Sequence, residues 1–223
     1  MTNALLFKEW KKTKWFAIGA FAVGLALLAY IFLKLGRSFR LVGLEHLWDV
    51  IVNRDQFLFR DLKYFPLATG FCLALAQFVP EMIQKRIKLS LHLPLPNKKI
   101  VFSMLGFGLL ALTIIFVLHV AIVLAFAGIY FPKEIISSII YTILPWYVAG
   151  ITAYTFMSWI CLEPTWKRRI FNALIMFGTL QLCFLTDFPG AYGLIILAVL
   201  LIPFYVLPFG YFSVQRLKVG IQD

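Results

Sequence analysis

The sequence predicts an all-α polytopic membrane bundle, and three observations predict it. Hydrophobic residues make up 62% of the 223-residue chain and charged residues 14%, with a mean hydropathy of +0.89, far outside the range of a water-soluble domain. Apolar runs of about 20 residues, the length a helix needs to cross a hydrocarbon core roughly 30 Å thick, recur along the chain. The Lys and Arg residues fall in alternate connections between those runs, as they do when topology is set by retained positive charge. Runs of this kind read as helices, since an open sheet would leave backbone groups unpaired in lipid.

Six spans are read: Trp15 to Leu35, Tyr64 to Ile83, Ile100 to Ile129, Ile135 to Leu162, Ile170 to Thr186, and Ala191 to Val214. The fifth lies at the short end of the spanning range, and Thr186 to Gly193 reads either as a loop or as a re-entrant turn. With no soluble domain, low-complexity linker or internal repeat, residues 1–223 form one integral membrane domain. A cleavable signal peptide is not expected, because the first span is too long and lacks a small-residue cleavage site.

Six spans place both termini on one side. That side carries two thirds of the 21 Lys and Arg residues: Lys8, Lys11, Lys12, Lys14, Lys85, Arg86, Lys88, Lys98, Lys99, Lys167, Arg168, Arg169, Arg216 and Lys218. Its acids are Glu9, Glu81, Glu163 and Asp223. Both termini are therefore expected to be cytoplasmic, in an inner membrane. The net charge of +11 is then topology and headgroup contact, and a nucleic-acid partner is unnecessary.

The first element is the stretch from Ala4 to Trp15. Leu5, Leu6 and Trp10 share one helical side, and Lys8, Lys11 and Lys12 lie toward another. It reads either as an interfacial helix lying along the membrane, lysines toward anionic lipid, or as a bare topology anchor. The second is the connection from Gly36 to Lys63, where Leu41, Leu44, Leu47, Trp48 and Ile51 stand at helical spacing. It reads as an outer helix, packed on lipid or covering the mouth of the bundle.

The third element, Glu81 to Lys99, is the most charged interruption of the chain. Gln84 to Leu91 is expected to continue helically, with Ile83, Ile87 and Leu91 on one side. Pro94 and Pro96 then stop the helix, since neither donates a backbone hydrogen bond and each biases its predecessor to extended geometry. Asn97-Lys98-Lys99 restarts the next span. A short helix with a rigid proline turn is a lever that a moving partner can push, although a charged loop with a proline break satisfies the same residues. The fourth element, Glu163-Pro-Thr-Trp-Lys-Arg-Arg169, is a tight turn with a basic helix start.

The Leu-Phe-Lys-Glu-Trp pattern of Leu6 to Trp10, followed by Glu81, Lys85, Arg86, Leu91, Leu93, Pro94, Lys98 and Lys99, resembles the membrane subunit of type-2, exporter-like ABC transporters. The layout matches over the whole chain, and the sharp motifs cover about thirty residues. Where family loops continue with an Arg pair and a further Lys, Ser103 and Met104 stand here. The resemblance implies that Gln84, Lys85, Arg86, Lys88, Leu91, His92, Leu93 and Pro94 form a coupling helix docking on a separate ATPase subunit. It also implies a second permease chain, identical or related, and export.

The chain has no GxxxxGK[ST], HExxH or GxSxG, so ATP is expected to bind the partner, with no cofactor held here and no enzymatic activity. Cys72, Cys161 and Cys183 stand singly in spans, without metal-ligand spacing. Polar groups inside spans are costly and so are candidates for a translocation path, namely Thr113, His119 and Gln181. Gln77, Thr152, Thr155 and Ser158 are further polar residues in spans. For His119 a neutral ring bonded to a neighbouring helix is the preferred reading over a substrate ligand. Two alternatives to the transporter stay open, a non-transporting membrane scaffold and the substrate-binding membrane subunit of a vitamin importer.

Overall fold

The computed structural model describes residues 2–42, 59–186, 188 and 190–220. The fold is all-helical, with no strand among the described residues. Among the described residues seven α-helices follow in order: α1 Thr2–Val42, α2 Phe65–Ile83, α3 Arg86–Leu91, α4 Asn97–Tyr130, α5 Lys133–Leu162, α6 Trp166–Leu182 and α7 Ile196–Val219. A short 3-10 turn, Arg60–Leu62, leads into α2. Among the described residues five helical segments are long and apolar enough to cross a membrane: Asn3–Leu41, Arg60–Ile83, Asn97–Tyr130, Lys133–Leu162 and Ile196–Val219. These mark a membrane-embedded protein.

Local signals set the helix ends. A proline opens α2 in its first turn, where a missing N–H costs nothing. Pro96 and Pro132 stand immediately before α4 and α5. Pro164 follows α5 and holds Glu163 extended, which ends that helix. Gly220 adopts a left-handed conformation, φ 86°, and closes α7.

Helix α5 is the centre of the bundle. It packs on α2 along its length, on α7, and less extensively on α4 and α6, while α1 lies against α4 and α2. Without a hydrophobic drive between helices in lipid, close approach has to come from small residues. At the α2–α5 crossing these are Gly70 and Gly150, and a Cβ on Gly70 would lie 1.9 Å from the Gly150 carbonyl oxygen.

Three expectations are corrected. The stretch from Ala4 to Trp15 is no separate interfacial helix, because α1 runs unbroken from Thr2 to Val42, and its lysines do not all face outward. Gln84 to Leu91 does not continue α2. That helix ends at Ile83, Lys85 takes a left-handed φ of 54°, and α3 starts at Arg86, so Ile83 leaves the face shared by Ile87 and Leu91. The fifth run stops at Leu182, and α6, at 17 residues, is about 26 Å long. The outer helix expected between Gly36 and Lys63 lies largely outside the described residues. At its margins, Gly36 belongs to α1 and Lys34 pairs with Asp61 at 2.8 Å.

Candidate functional site

Two acids at the N-terminal end of the bundle, Glu9 and Glu81, fold inward. Leu5, Glu9 and Thr13 form one buried stripe on α1, while Leu6, Phe7 and Trp10 are exposed. Glu9 and Glu81 are fully buried, a state carboxylates reach only with paired cations and saturated hydrogen bonds. Lys12 supplies both, with its Nζ 2.8 Å from Glu9 Oε2 and 3.1 Å from Glu81 Oε1. Lys8 Nζ lies 2.9 Å from Glu81 Oε1 and donates to Ser90 Oγ of α3 at 3.1 Å. Two carboxylates and two ammoniums thus form one neutral cluster joining α1, α2 and α3.

Gln77 extends the cluster into the bundle. Its Nε2 donates to Glu9 Oε2 and to the Met104 carbonyl, each at 2.8 Å, and its Oε1 accepts from Tyr154 Oη at 2.8 Å. Tyr154 Oη also lies 3.2 Å from the Leu105 carbonyl. Every polar atom of the Gln77 amide is used, with α4 and α5 now tied to the same carboxylate. Gly108 makes room for this, since a Cβ there would stand 2.0 Å from Tyr154 Oη.

A third buried carboxylate, Glu163, sits in the turn after α5. Its Oε2 accepts from Ser213 Oγ at 2.6 Å and from Arg216 Nη2, both on α7, and its Oε1 accepts from Thr165 Oγ1 at 3.2 Å. Ser213 Oγ receives Trp159 Nε1 at 3.1 Å, and Arg169 Nε donates to the Glu163 carbonyl at 2.6 Å. Burial alone pushes the Glu163 carboxyl upward. The Ser213 and Arg216 hydrogen bonds, the guanidinium charge and Thr165 outweigh it and hold the carboxyl below the usual carboxylate range.

Between the two networks lies a cavity of about 230 Å³ lined by Met82, Lys85, Ile87, Lys88, Pro164, Arg169 and Leu217. It places the α2–α3 junction and the α5–α6 turn at the same end of the bundle.

The structure gives the expected coupling residues two different sides. Gln84, Lys85, Arg86, Lys88, His92 and Pro94 are exposed, and Leu93 is 41% exposed. Leu91 is not, at 9%, because with Ile87 and Ser90 it faces the bundle. The outward apolar residue is Leu89, 72% exposed, which the sequence reading passed over. The break at Lys85 resets the helical phase, so a face drawn through Ile83 misplaces it.

The candidate path residues do not converge. His119 is buried against α1, stacked on Phe21 with ring centroids 5.5 Å apart, and a Cβ on Gly24 would lie 2.1 Å from its Cε1. Thr113 and Gln181 are exposed. None of the three lines the grooves between α2, α5 and α6 or between α5, α6 and α7. Sequence reasoning missed Glu9, Glu81, Glu163, Tyr154, Ser213 and Arg216 as a constellation. Their signal was acids standing at the margins of apolar helices, where an unpaired charge is costly. Among the described residues no group of three or more His, Cys, Asp or Glu side chains stands ready to hold a metal ion. Comparison of the chain with known protein families, curated proteins and solved structures finds no match.

Proposed function

We propose that this chain is the transmembrane subunit of an ATP-driven exporter of the type-2 ABC class, paired with a second permease chain and with two separate ATPase subunits at its N-terminal end. In this reading α6 is the fifth of six spans, both termini are cytoplasmic, and the membrane is the inner one. The observation that carries it is the position and two-sidedness of α3. Six residues of helix stand between two spans with Leu89 and Leu93 outward, and with Ile87, Ser90 and Leu91 held against the bundle. A soluble partner gripping the outer side would move a helix that is bonded through Ser90 and Lys8 to Glu81. Closure of the ATPases on nucleotide would then tilt α1 and α2 together, which is the motion alternating access needs.

The test is copurification with a Walker-type ATPase, sought first among the products of the neighbouring genes. Leu89→Glu combined with Leu93→Glu is expected to abolish association and leave membrane insertion intact, since both side chains are exposed. Undiminished copurification overturns the coupling role. Leu91→Glu serves as the contrasting variant, expected to reduce the amount of folded protein itself.

A further inference from the structure

The basic cavity beneath α3 does not stand alone. It shares Met82 and Arg169 with an apolar groove of about 420 Å³ whose walls include Leu75 and Val79 of α2, Met157 and Ile160 of α5, and Ala173 of α6. Lys85, Lys88 and Arg169 line the cavity, and no carboxylate does. Among the described residues neither lysine forms an ion pair, and Arg169 commits only its Nε, to the Glu163 carbonyl. Three cations facing a common space without a counter-charge repel one another unless an anion sits among them. From Leu75 to Met82 the groove follows α2 for about 10 Å into the bundle. At its mouth Arg169 lies over the Trp166 ring, 5.4 Å from the centroid, and an exposed tryptophan there belongs at headgroup depth.

We propose that the cavity and groove together form a binding site for one anionic phospholipid, with its phosphate among Lys85, Lys88 and Arg169 and an acyl chain along the groove between α2, α5 and α6. Each half supplies what the other lacks. The cations select a negative headgroup, and the groove selects a molecule with a chain over a free phosphate. Occupancy would bridge α3 to the α5–α6 turn, so this lipid would brace the short helix. The inference does not rest on the transporter reading, because it needs only the membrane and the two cavities.

The experiment is native mass spectrometry of the full chain in detergent, titrated with dioleoyl phosphatidylglycerol or dioleoyl phosphatidylcholine. The anionic phosphatidylglycerol is expected to bind at least tenfold more tightly than the zwitterionic phosphatidylcholine. Lys85→Asn with Lys88→Gln should weaken it about 25-fold, from about fivefold for each cation removed. Both side chains are exposed and asparagine tolerates the left-handed backbone at position 85, so folding is retained. Lys167→Gln with Arg168→Gln removes exposed cations outside the cavity and should change affinity by less than twofold. Ala173→Leu and Ala173→Trp, which fill the groove, should weaken binding, and millimolar glycerol 1-phosphate should not compete. Equal loss in the Lys167 and Arg168 variant would mean a diffuse surface potential and would overturn the site. Competition by glycerol phosphate, or undiminished binding in both Ala173 variants, would mean a phosphate site without a chain and would equally overturn it.

Discussion

The two buried carboxylate networks at the N-terminal end are built on different principles. Glu81 is neutralised by Lys8 and Lys12 from a helix distant in sequence, and Lys12 also serves Glu9 one turn away on its own helix. Glu163 is held by hydroxyls and a single guanidinium, and Thr165 and Arg169 come from the same short turn and helix start. The first joins five helices through Lys8, Lys12 and Gln77, and the second joins α5, the α5–α6 turn and the start of α6 to α7. A cluster of the first kind fails as a unit when the shared ion is lost, whereas one of the second kind loses its donors one at a time. The cluster that fails as a unit is also the one bonded to α3. A displacement of α3 would therefore reach α1, α2, α4 and α5 through one connected network, while the Glu163 network ties α5 to α7.

The largest expected effect breaks the shared ion. Lys12→Met leaves two buried carboxylates facing each other with only the half-buried Lys8 nearby, and should cost about 3–5 kcal/mol of stability. Thermal unfolding of the purified protein followed by tryptophan fluorescence measures it, and a change under 1 kcal/mol would remove the contrast between the networks. A smaller effect is expected from Tyr154→Phe, which strips the donor from Gln77 Oε1 and should cost about 1–3 kcal/mol. Combined with Lys12→Met it should be strongly non-additive, since both act through Gln77 and Glu9. Additive losses would show that the amide and the ions are independent.

The smallest effect is expected in the second network. Glu163→Gln should cost about 1 kcal/mol at neutral pH, because Arg216 is partly exposed and can return to water. Its pH dependence carries the sharper information. The folded-state carboxyl is held below its ordinary value of about 4.3, so its stabilisation is complete above that value and is lost as pH falls through the folded-state pKa. The difference in unfolding temperature between wild type and Glu163→Gln should therefore be constant from pH 7 to about 5 and narrow below it. A difference that widens on acidification would reverse the assignment.

Much of the fold was legible because membrane helices are a matter of local composition. Four expected spans lie within or nearly coincide with α1, α2, α4 and α5, and the restart at Asn97 and the basic start at Trp166 fell where proline chemistry placed them. The candidate site was less legible for two reasons. Helical phase was carried across Lys85, where the chain breaks it, which put Leu91 outward and overlooked Leu89. The charges of the N-terminal stretch were assigned to lipid, because their partner Glu81 lies 69 and 73 positions away from Lys12 and Lys8, beyond any periodicity. Gln77 was visible as a polar residue in a span, but its bonds to three other helices were not.

What the sequence determined by itself was an all-helical membrane protein, the boundaries of α2, α4 and α5 to within a few residues, and the crowding of positive charge toward one end. These follow from apolar run length, proline geometry and the cost of unpaired backbone in lipid, all of which act over a few neighbouring residues. The tertiary structure alone decided that the amphipathic start of α1 turns its charged face inward, that three acids counted as surface charge are fully buried, and that a basic cavity opens onto an apolar groove. The reason is that a buried carboxylate is tolerable only where cations and donors from several helices meet, and where helices meet is fixed by packing across the whole bundle.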